Sequence, residues 1–340
     1  MGNGNGKVNC CQPDGRDNEI ASPTAGGCPW ATVRSVSVVI PVYNSGDSLP
    51  LLIERLEPVL SSFGVPYEAI LVNDGSRDQS WSRICELAQS RAWMVGINLM
   101  RNYGQHNALL CGIRAATGEV IVTLDDDLQN PPEEIGRMLT ELDRGFDVVY
   151  GTPLQERHGM LRDAASQITK ITLQGAMGAR TARQVSAFRV FRTRLRAASE
   201  HYNGPYPSID VLLTWATTRF SAIPVQHDVR LTGTSNYTLP RLVLHAFNMI
   251  TGFSTLPLRI GSLLGFLFAA FGFGVLGLVV GRYLIQGSPV QGFAFLASVT
   301  AIFSGVQLFT LGMIGEYLAR MHLRMMERPP YVVGQTTRKE

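Results

Sequence analysis

Val120-Ile121-Val122-Thr123-Leu124-Asp125-Asp126-Asp127-Leu128-Gln129 is the stretch that decides the fold of this 340-residue chain. An apolar, β-branched run that gives way at once to three carboxylates and an amide is a buried strand opening into a polar loop. Ligands of open α/β sheets bind at the carboxyl ends of strands, where hard oxygen donors bring a divalent ion and a phosphate together. Three adjacent carboxylates also store like-charge repulsion that a bound cation relieves. The stretch therefore points to a nucleotide diphosphate.

Working outward, apolar runs at 36–41, 67–72, 94–99 and 147–150 repeat the strand pattern of 119–124, and helices are expected at 48–63, 79–90, 107–117 and 132–144. Ser48 is placed to cap the first helix, and Pro132 falls near the first turn of the last. Regular alternation of strand and helix predicts an α/β fold with a mainly parallel sheet and helices on both faces. Three strand ends carry polar clusters: Tyr43-Asn44, Asn73-Asp74-Gly75-Ser76, and Asp125 through Gln129. A lone Asp-Gly pair is only a turn, but three clusters at equivalent strand ends describe a site.

Composition sets the limits. Hydrophobic residues make up 45% of the chain, and the excess lies after residue 258. The formal net charge is +3 with no long basic run, so no nucleic acid is expected as a partner. Five cysteines, odd in number and without metal spacing, read as reduced and incidental rather than as a zinc site or disulfide framework. Residues 1–33 are rich in Gly, Asn, Pro and Ser, lack a signal-peptide core, and are expected to form a disordered tail.

Two runs, 260–284 and 293–314, each exceed the roughly 20 residues that span a hydrocarbon core. With the short polar turn 286–292 between them they predict a transmembrane hairpin and hence the lipid bilayer as a partner. Arg241 and Arg259 precede the hairpin and Arg320, Arg324 and Arg328 follow it, against Arg282 near the turn. The positive-inside rule then places both ends and the catalytic domain in the cytoplasm. Glycines at 261, 265, 272, 274, 277 and 281 would allow close helix contacts. The stretch 239–258 suits an interfacial helix or an ordinary helix packed on the domain, and 168–177 makes a weaker interfacial case.

The segments 36–44, 73–76, 101–106 and 125–134 resemble the family 2 glycosyltransferases, and the resemblance runs from about 35 to 332. Within them the chain is most similar to the bacterial polyprenyl-phosphate (undecaprenyl-phosphate) glycosyltransferases, and more distantly to dolichyl-phosphate mannose synthase. The resemblance implies a nucleotide-sugar-binding, GT-A type domain that moves a sugar, with inversion, from a nucleotide-sugar donor to a polyprenyl phosphate acceptor. It places the chain as a multi-pass protein of the bacterial inner (plasma) membrane that serves cell-envelope glycan modification, and favours UDP over GDP. By the same resemblance Pro41, Tyr43, Asn44 and Asp74 lie on the nucleotide side, with Asp126 beside them. Asp125 and Asp127 match an Asp-x-Asp motif in which Asp127 and Gln129, with Asp125, hold Mg2+ or Mn2+. Arg157, Arg162 and Arg230 match basic positions facing the diphosphate and the acceptor phosphate. Guanidinium groups and a metal suit a reaction that gathers several negative charges.

Two departures stand out. Thr234 and Asn236 occupy a motif where relatives carry Gly-Glu-Ser-Lys-Tyr, so one cationic contact is missing. Ser186-Ala187 precede Phe188-Arg189 where relatives place an acid, a candidate base. A phosphate acceptor is already anionic near neutral pH, so the base is left unassigned, with Asp210 a weak substitute. The domain plan is a tail (1–33), a catalytic domain (34–238), an interfacial helix (239–258), the hairpin (259–318) and a cytoplasmic tail (319–340), with association as a homotetramer. The competing readings are a processive polysaccharide synthase, whose Gln-x-x-Arg-Trp motif is absent, and a catalytically weak membrane scaffold or lipid-linked-sugar translocation component.

Overall fold

Strands β1 (Val36–Val42), β2 (Tyr67–Asn73), β3 (Met94–Leu99) and β4 (Val120–Thr123) form where the apolar runs predict them. The computed structural model describes residues 32–153, 185–200, 202–204, 207–228, 256–286, 292–326 and 328–338. β1 is buried along its whole length, and its side chains alternate between two cores. Val36, Val38, Ile40 and Val42 face one core and Val39 faces the other. Helices α1 (Leu49–Ser62), α2 (Ser80–Ser90) and α4 (Ile135–Asp143) bury Leu52, Leu56, Ile84, Met138 and Leu139 in the first core. Helix α3 (Gln105–Ala115) and helix α5 (Ile209–Ala216) close the second. The expected helices on both faces are thus present. Gly112 sets the approach of α3, because a Cβ there would stand 2.3 Å from Val39 Cγ1.

Three further strands, β5 (Val148–Pro153), β6 (Arg189–Arg192) and β7 (Phe220–Val225), extend the sheet on the β4 side, and β8 (Val333–Thr336) extends it on the β3 side. The order is β7-β5-β6-β4-β1-β2-β3-β8. β1–β2, β1–β4, β2–β3 and β5–β7 pair parallel, whereas β6 runs antiparallel to both β4 and β5, and β8 antiparallel to β3. The sheet is of the expected GT-A α/β kind, but β5 is not the next parallel neighbour of β4. β6 lies between them, and its four residues carry Arg189 and Arg192, which hide the strand from an apolar-pattern search.

Helices α6 (Leu256–Gln286) and α7 (Phe293–Met325) hold the two apolar spans. The windows Leu258–Ile285 and Ile302–Leu323 have mean hydropathies of 2.5 and 1.3 and are not buried inside the protein, so both helices are long and apolar enough to cross a membrane. They meet through Phe268 and Phe303, edge-on at 5.7 Å between ring centroids. Only part of the glycine expectation holds. Cβ atoms at Gly272 and Gly261 would touch Phe303 and Thr310, while at Gly265, Gly274, Gly277 and Gly281 they would meet nothing within 4 Å.

Two boundaries differ from the sequence plan. Residues 256–258 belong to α6 rather than to a separate interfacial helix, and 239–255 and 168–177 lie outside the described residues. The stretch 319–340 is no simple tail: it continues α7 to Met325 and then supplies β8.

Candidate active site

The chain steps from β1 to β2 to β3 in one direction and then places β4 on the other side of β1. A crevice opens where such an order reverses, at the carboxyl ends of β1 and β4. The register shows where the two strands part. Thr123 pairs with Val39, and Leu124 N–H still reaches Val39 O at 3.1 Å, after which β4 turns away into Asp125. Pro41 belongs to β1, buried and paired with Val72 rather than exposed in the loop. It sits just past the last β4 bond, where its missing N–H leaves no ladder bond unmade.

Four strand-end loops are laced across this crevice. Tyr43 N–H donates to Asp126 Oδ2 at 3.2 Å, and the Ser48 hydroxyl donates to Asp126 O at 2.9 Å. Asn44, at φ +54°, donates its N–H to Ser76 Oγ and accepts the Arg77 N–H, joining the β1 loop to the β2 loop. Asp74 takes Tyr103 N–H at 2.7 Å on one oxygen and Gly104 N–H at 2.8 Å on the other, joining β2 to β3. Gln105 Nε2 donates to Asp125 Oδ1 at 2.8 Å, joining α3 to the acidic loop. Gly75, at φ +63°, is required here, since a Cβ would stand 2.5 Å from the backbone of Arg101 and Asn102.

The acids divide by their partners. Asp74 is 2% exposed. Burial pushes its carboxyl above the ordinary value, although the two N–H bonds pull the other way. Asp126 is raised in the same manner, first by burial and further by the charge of Asp127, against the bonds from Ser45 and Tyr43. These two acids hold loops in place. Asp74, expected against the base or ribose, accepts from Tyr103 and Gly104, while Tyr43 offers an exposed ring, 40% accessible, at the same rim. Arg101 stacks over Tyr103 with its guanidinium carbon 4.7 Å from the ring centroid.

Asp125, Asp126, Asp127 and Gln129 are all partly exposed in the loop beyond β4. Leu128 takes φ +61° between them with its side chain buried, and Gln129 N–H donates to Asp127 Oδ1 at 3.1 Å. Among the described residues, no three His, Cys, Asp or Glu side chains form a metal cluster. The donor set nonetheless fits a hard divalent ion: partly exposed carboxylates and an amide oxygen share one loop, in which Asp126 is engaged by the Tyr43 N–H.

The segment after β7 reaches the same loop. Asp228 N–H donates to Gln129 O at 2.9 Å, and Asp228 accepts from Arg55, which also pairs through two nitrogens with Glu133. Arg230 follows two residues later and, with Arg157, Arg162 and the 233–237 motif, lies outside the described residues. Asp210, the substitute base candidate, is instead locked. Arg189 Nη1 donates to it at 2.5 Å and the Tyr150 hydroxyl at 3.0 Å, with Arg189 2% exposed. Burial and the neighbouring Asp210 push the Tyr150 phenol well up, so it stays a neutral donor. Where relatives place an acid, the Ser186 hydroxyl accepts the Phe188 N–H.

Sequence reasoning missed Gln105, Ser45 and Ser48 as supports of the acidic loop. The segment 101–106 stands out in the sequence, yet nothing local tells that Gln105 meets an acid 20 positions away or Ser48 one 78 away.

A parallel α/β sheet whose acidic loop lies at its switch point is an arrangement that suits a nucleotide ligand. Residues 37–201 match the model described as glycosyl transferase family 2, so the chain carries a domain of that family, of the GT-A type. Among solved structures the chain is similar to glucosyl-3-phosphoglycerate synthase from Mycobacterium tuberculosis in complex with Mn2+, UDP-glucose and phosphoglyceric acid. That match has 17% identity, covers 64% of this chain and 78% of the other, and has a TM-score of 0.46. A further mycobacterial protein is similar at 17% identity over 66% and 74% of the two chains, with a TM-score of 0.48.

Proposed function

We propose that this glycosyltransferase moves a sugar, with inversion, from a nucleotide-sugar, UDP being favoured, to a polyprenyl phosphate at the cytoplasmic face of the bacterial inner membrane. One observation carries the membrane acceptor. Both connections between the sheet and the apolar helix pair leave from the end of the sheet that bears the acidic loop. β7 runs parallel to β5, and the chain beyond it is bonded at Asp228 to Gln129 on its way to α6. α7 returns to β8, whose first residue, Val333, pairs with Leu99 at the carboxyl end of β3. Only seven residues, 326–332, separate α7 from β8, a reach of at most about 25 Å. An acceptor phosphate carried on a lipid is thereby brought to the end of the sheet where the donor binds.

Asp127 and Gln129, with Asp125, hold Mg2+ or Mn2+, which when bound offsets the charge of the leaving diphosphate. Tyr43 and Asn44 border the nucleoside, and Asp74 and Asp126 fix the loops that do so. An acceptor phosphate oxygen attacks the anomeric carbon as the bond to the diphosphate oxygen breaks, and the electron pair leaves with the diphosphate. No proton has to be removed from an ionised phosphate, in keeping with the engagement of Asp210 by Arg189. Arg157, Arg162 and Arg230 neutralise the phosphates.

The test is transfer of radiolabelled sugar to purified polyprenyl phosphate by the full chain in detergent with Mg2+ or Mn2+. A labelled lipid lost on removal of the cation is expected. Absence of lipid-linked sugar with every common nucleotide donor would overturn the reading.

A further inference from the structure

We propose that β8, the strand by which the chain returns from the apolar helices, is a positioning element for the donor end of the site. It acts through the loop between β3 and α3. The inference rests on the transferase reading and adds a component that lies outside the acidic loop and outside the residues matched by the family 2 model, 37–201.

All four residues of β8 are exposed, so the strand contributes little to the hydrophobic core. It is held instead by specific polar bonds to several elements. Trp81 Nε1 of α2 donates to Gln335 at 2.9 Å. Gly96 N–H of β3 donates to the Thr337 hydroxyl at 2.8 Å, and Thr337 N–H returns to Gly96 O at 2.9 Å. Arg338 donates to Glu68 at 2.7 Å and to Ala115 O at 3.1 Å. On the near side, Tyr331 lies under the Arg114 guanidinium of α3, 5.8 Å from ring centroid to guanidinium carbon.

The functional link is at Met100, whose N–H donates to Val332 O at 3.0 Å. Met100 is the first residue after β3, and the four that follow form the loop clamped by Asp74 and pressed on Gly75. The next residue is Gln105, which holds Asp125. The β3–α3 loop is therefore fixed on its inner side by Asp74 and at its entry by the strand arriving from α7. An ordered loop loses less entropy when ligand binds, so releasing one clamp lowers affinity without touching the reacting groups. An element with so little apolar burial can open locally while the core stays folded.

The test uses the full chain in detergent. Truncation after Pro330 removes the strand, and the milder pair Gln335→Ala with Thr337→Ala removes two of its side-chain bonds. UDP with Mn2+ is the probe, titrated calorimetrically, with donor KM and kcat measured alongside. UDP binding and donor KM are expected to weaken together by about tenfold while kcat stays within about twofold. Hydrogen exchange should accelerate across 100–104. UDP affinity and donor KM within about twofold of wild type, in a variant whose Gly96 and Met100 amides have lost protection, overturn the proposal. Weakened binding that only tracks a fall in melting temperature beyond about 10 °C marks β8 as a structural edge and also overturns it. A wild-type chain that binds neither UDP nor GDP overturns the transferase reading itself.

Discussion

The carboxyl ends of β1–β4 and the region around β5–β7 both gather aspartates, but they treat them in opposite ways. At the first, Asp74 and Asp126 are held by backbone N–H groups and hydroxyls, and burial leaves both carboxyls raised. At the second, Asp210 is paired with Arg189, and Asp147 takes bonds from Arg194, Arg219 and Thr217. Burial alone would raise Asp147, yet these partners bring it down to about 2. Neutral donors shape a loop while leaving its negative potential in place for a cation, whereas guanidinium partners cancel the charge and lock the fold. The kind of partner, more than the presence of acids, separates site from scaffold.

The largest expected effect is in the scaffold. Asp210→Ala strands a buried guanidinium and should cost about 3–5 kcal/mol of stability, read as a lowered melting temperature. The milder Asp210→Asn should keep its transfer rate per folded molecule, and a folded Asp210→Asn variant without transfer would break the comparison by restoring Asp210 as a base. In the site, Asp127→Ala should reduce transfer by on the order of 10²–10³-fold with an unchanged or higher melting temperature, because like-charge repulsion is relieved. Full retained activity would remove Asp127 from the ion's donors.

Gly75→Ala sharpens the view of the site as laced loops. A side chain at φ +63°, pressed on the 101–102 backbone, should cost about 1–3 kcal/mol and weaken UDP binding, whereas Gly265→Ala, with open space around it, should leave both unchanged. The smallest effect is in pH dependence, and its sign differs between the regions. The Asp147 carboxyl is depressed, so its stabilisation is present above the ordinary value of 3.8 and is lost as pH falls through about 2. With both guanidinium partners more than half exposed, about 1–2 kcal/mol is expected. Asp74 is raised, so it favours the fold at low pH and loses that contribution as pH rises through its folded value. Melting curves of both Asp147→Asn and Asp74→Asn should approach those of wild type below pH 4, and toward neutral pH they should part in opposite senses, Asp147→Asn losing stability against wild type and Asp74→Asn gaining it.

The two regions were also unequally legible in the sequence. β1–β4 announce themselves through apolar runs because both faces of a central parallel strand are buried. β6 does not, because Arg189 is buried only by virtue of Asp210, 21 residues further on. β8 does not either, since an exposed edge strand has no hydrophobic pattern to display. The same holds within the site. Asp125, Asp127 and Gln129 were legible as acids and an amide after a strand, while the engagement of Asp126 depends on Tyr43, 83 positions away.

The alternating α/β core, the acidic loop at the end of β4, and two helices apolar enough to cross a membrane can all be read from the residues in order. These follow from local periodicity and length, which burial imposes on neighbouring residues whatever the rest of the chain does. Which acids serve as scaffold, the inversion of β6 between β4 and β5, and the closing of the sheet by the return from α7 beside the β3–α3 loop emerge with the folded chain. Those outcomes depend on hydrogen bonds and ion pairs between residues far apart in sequence, and the desolvation that gives such bonds their weight exists only once the chain has folded around them.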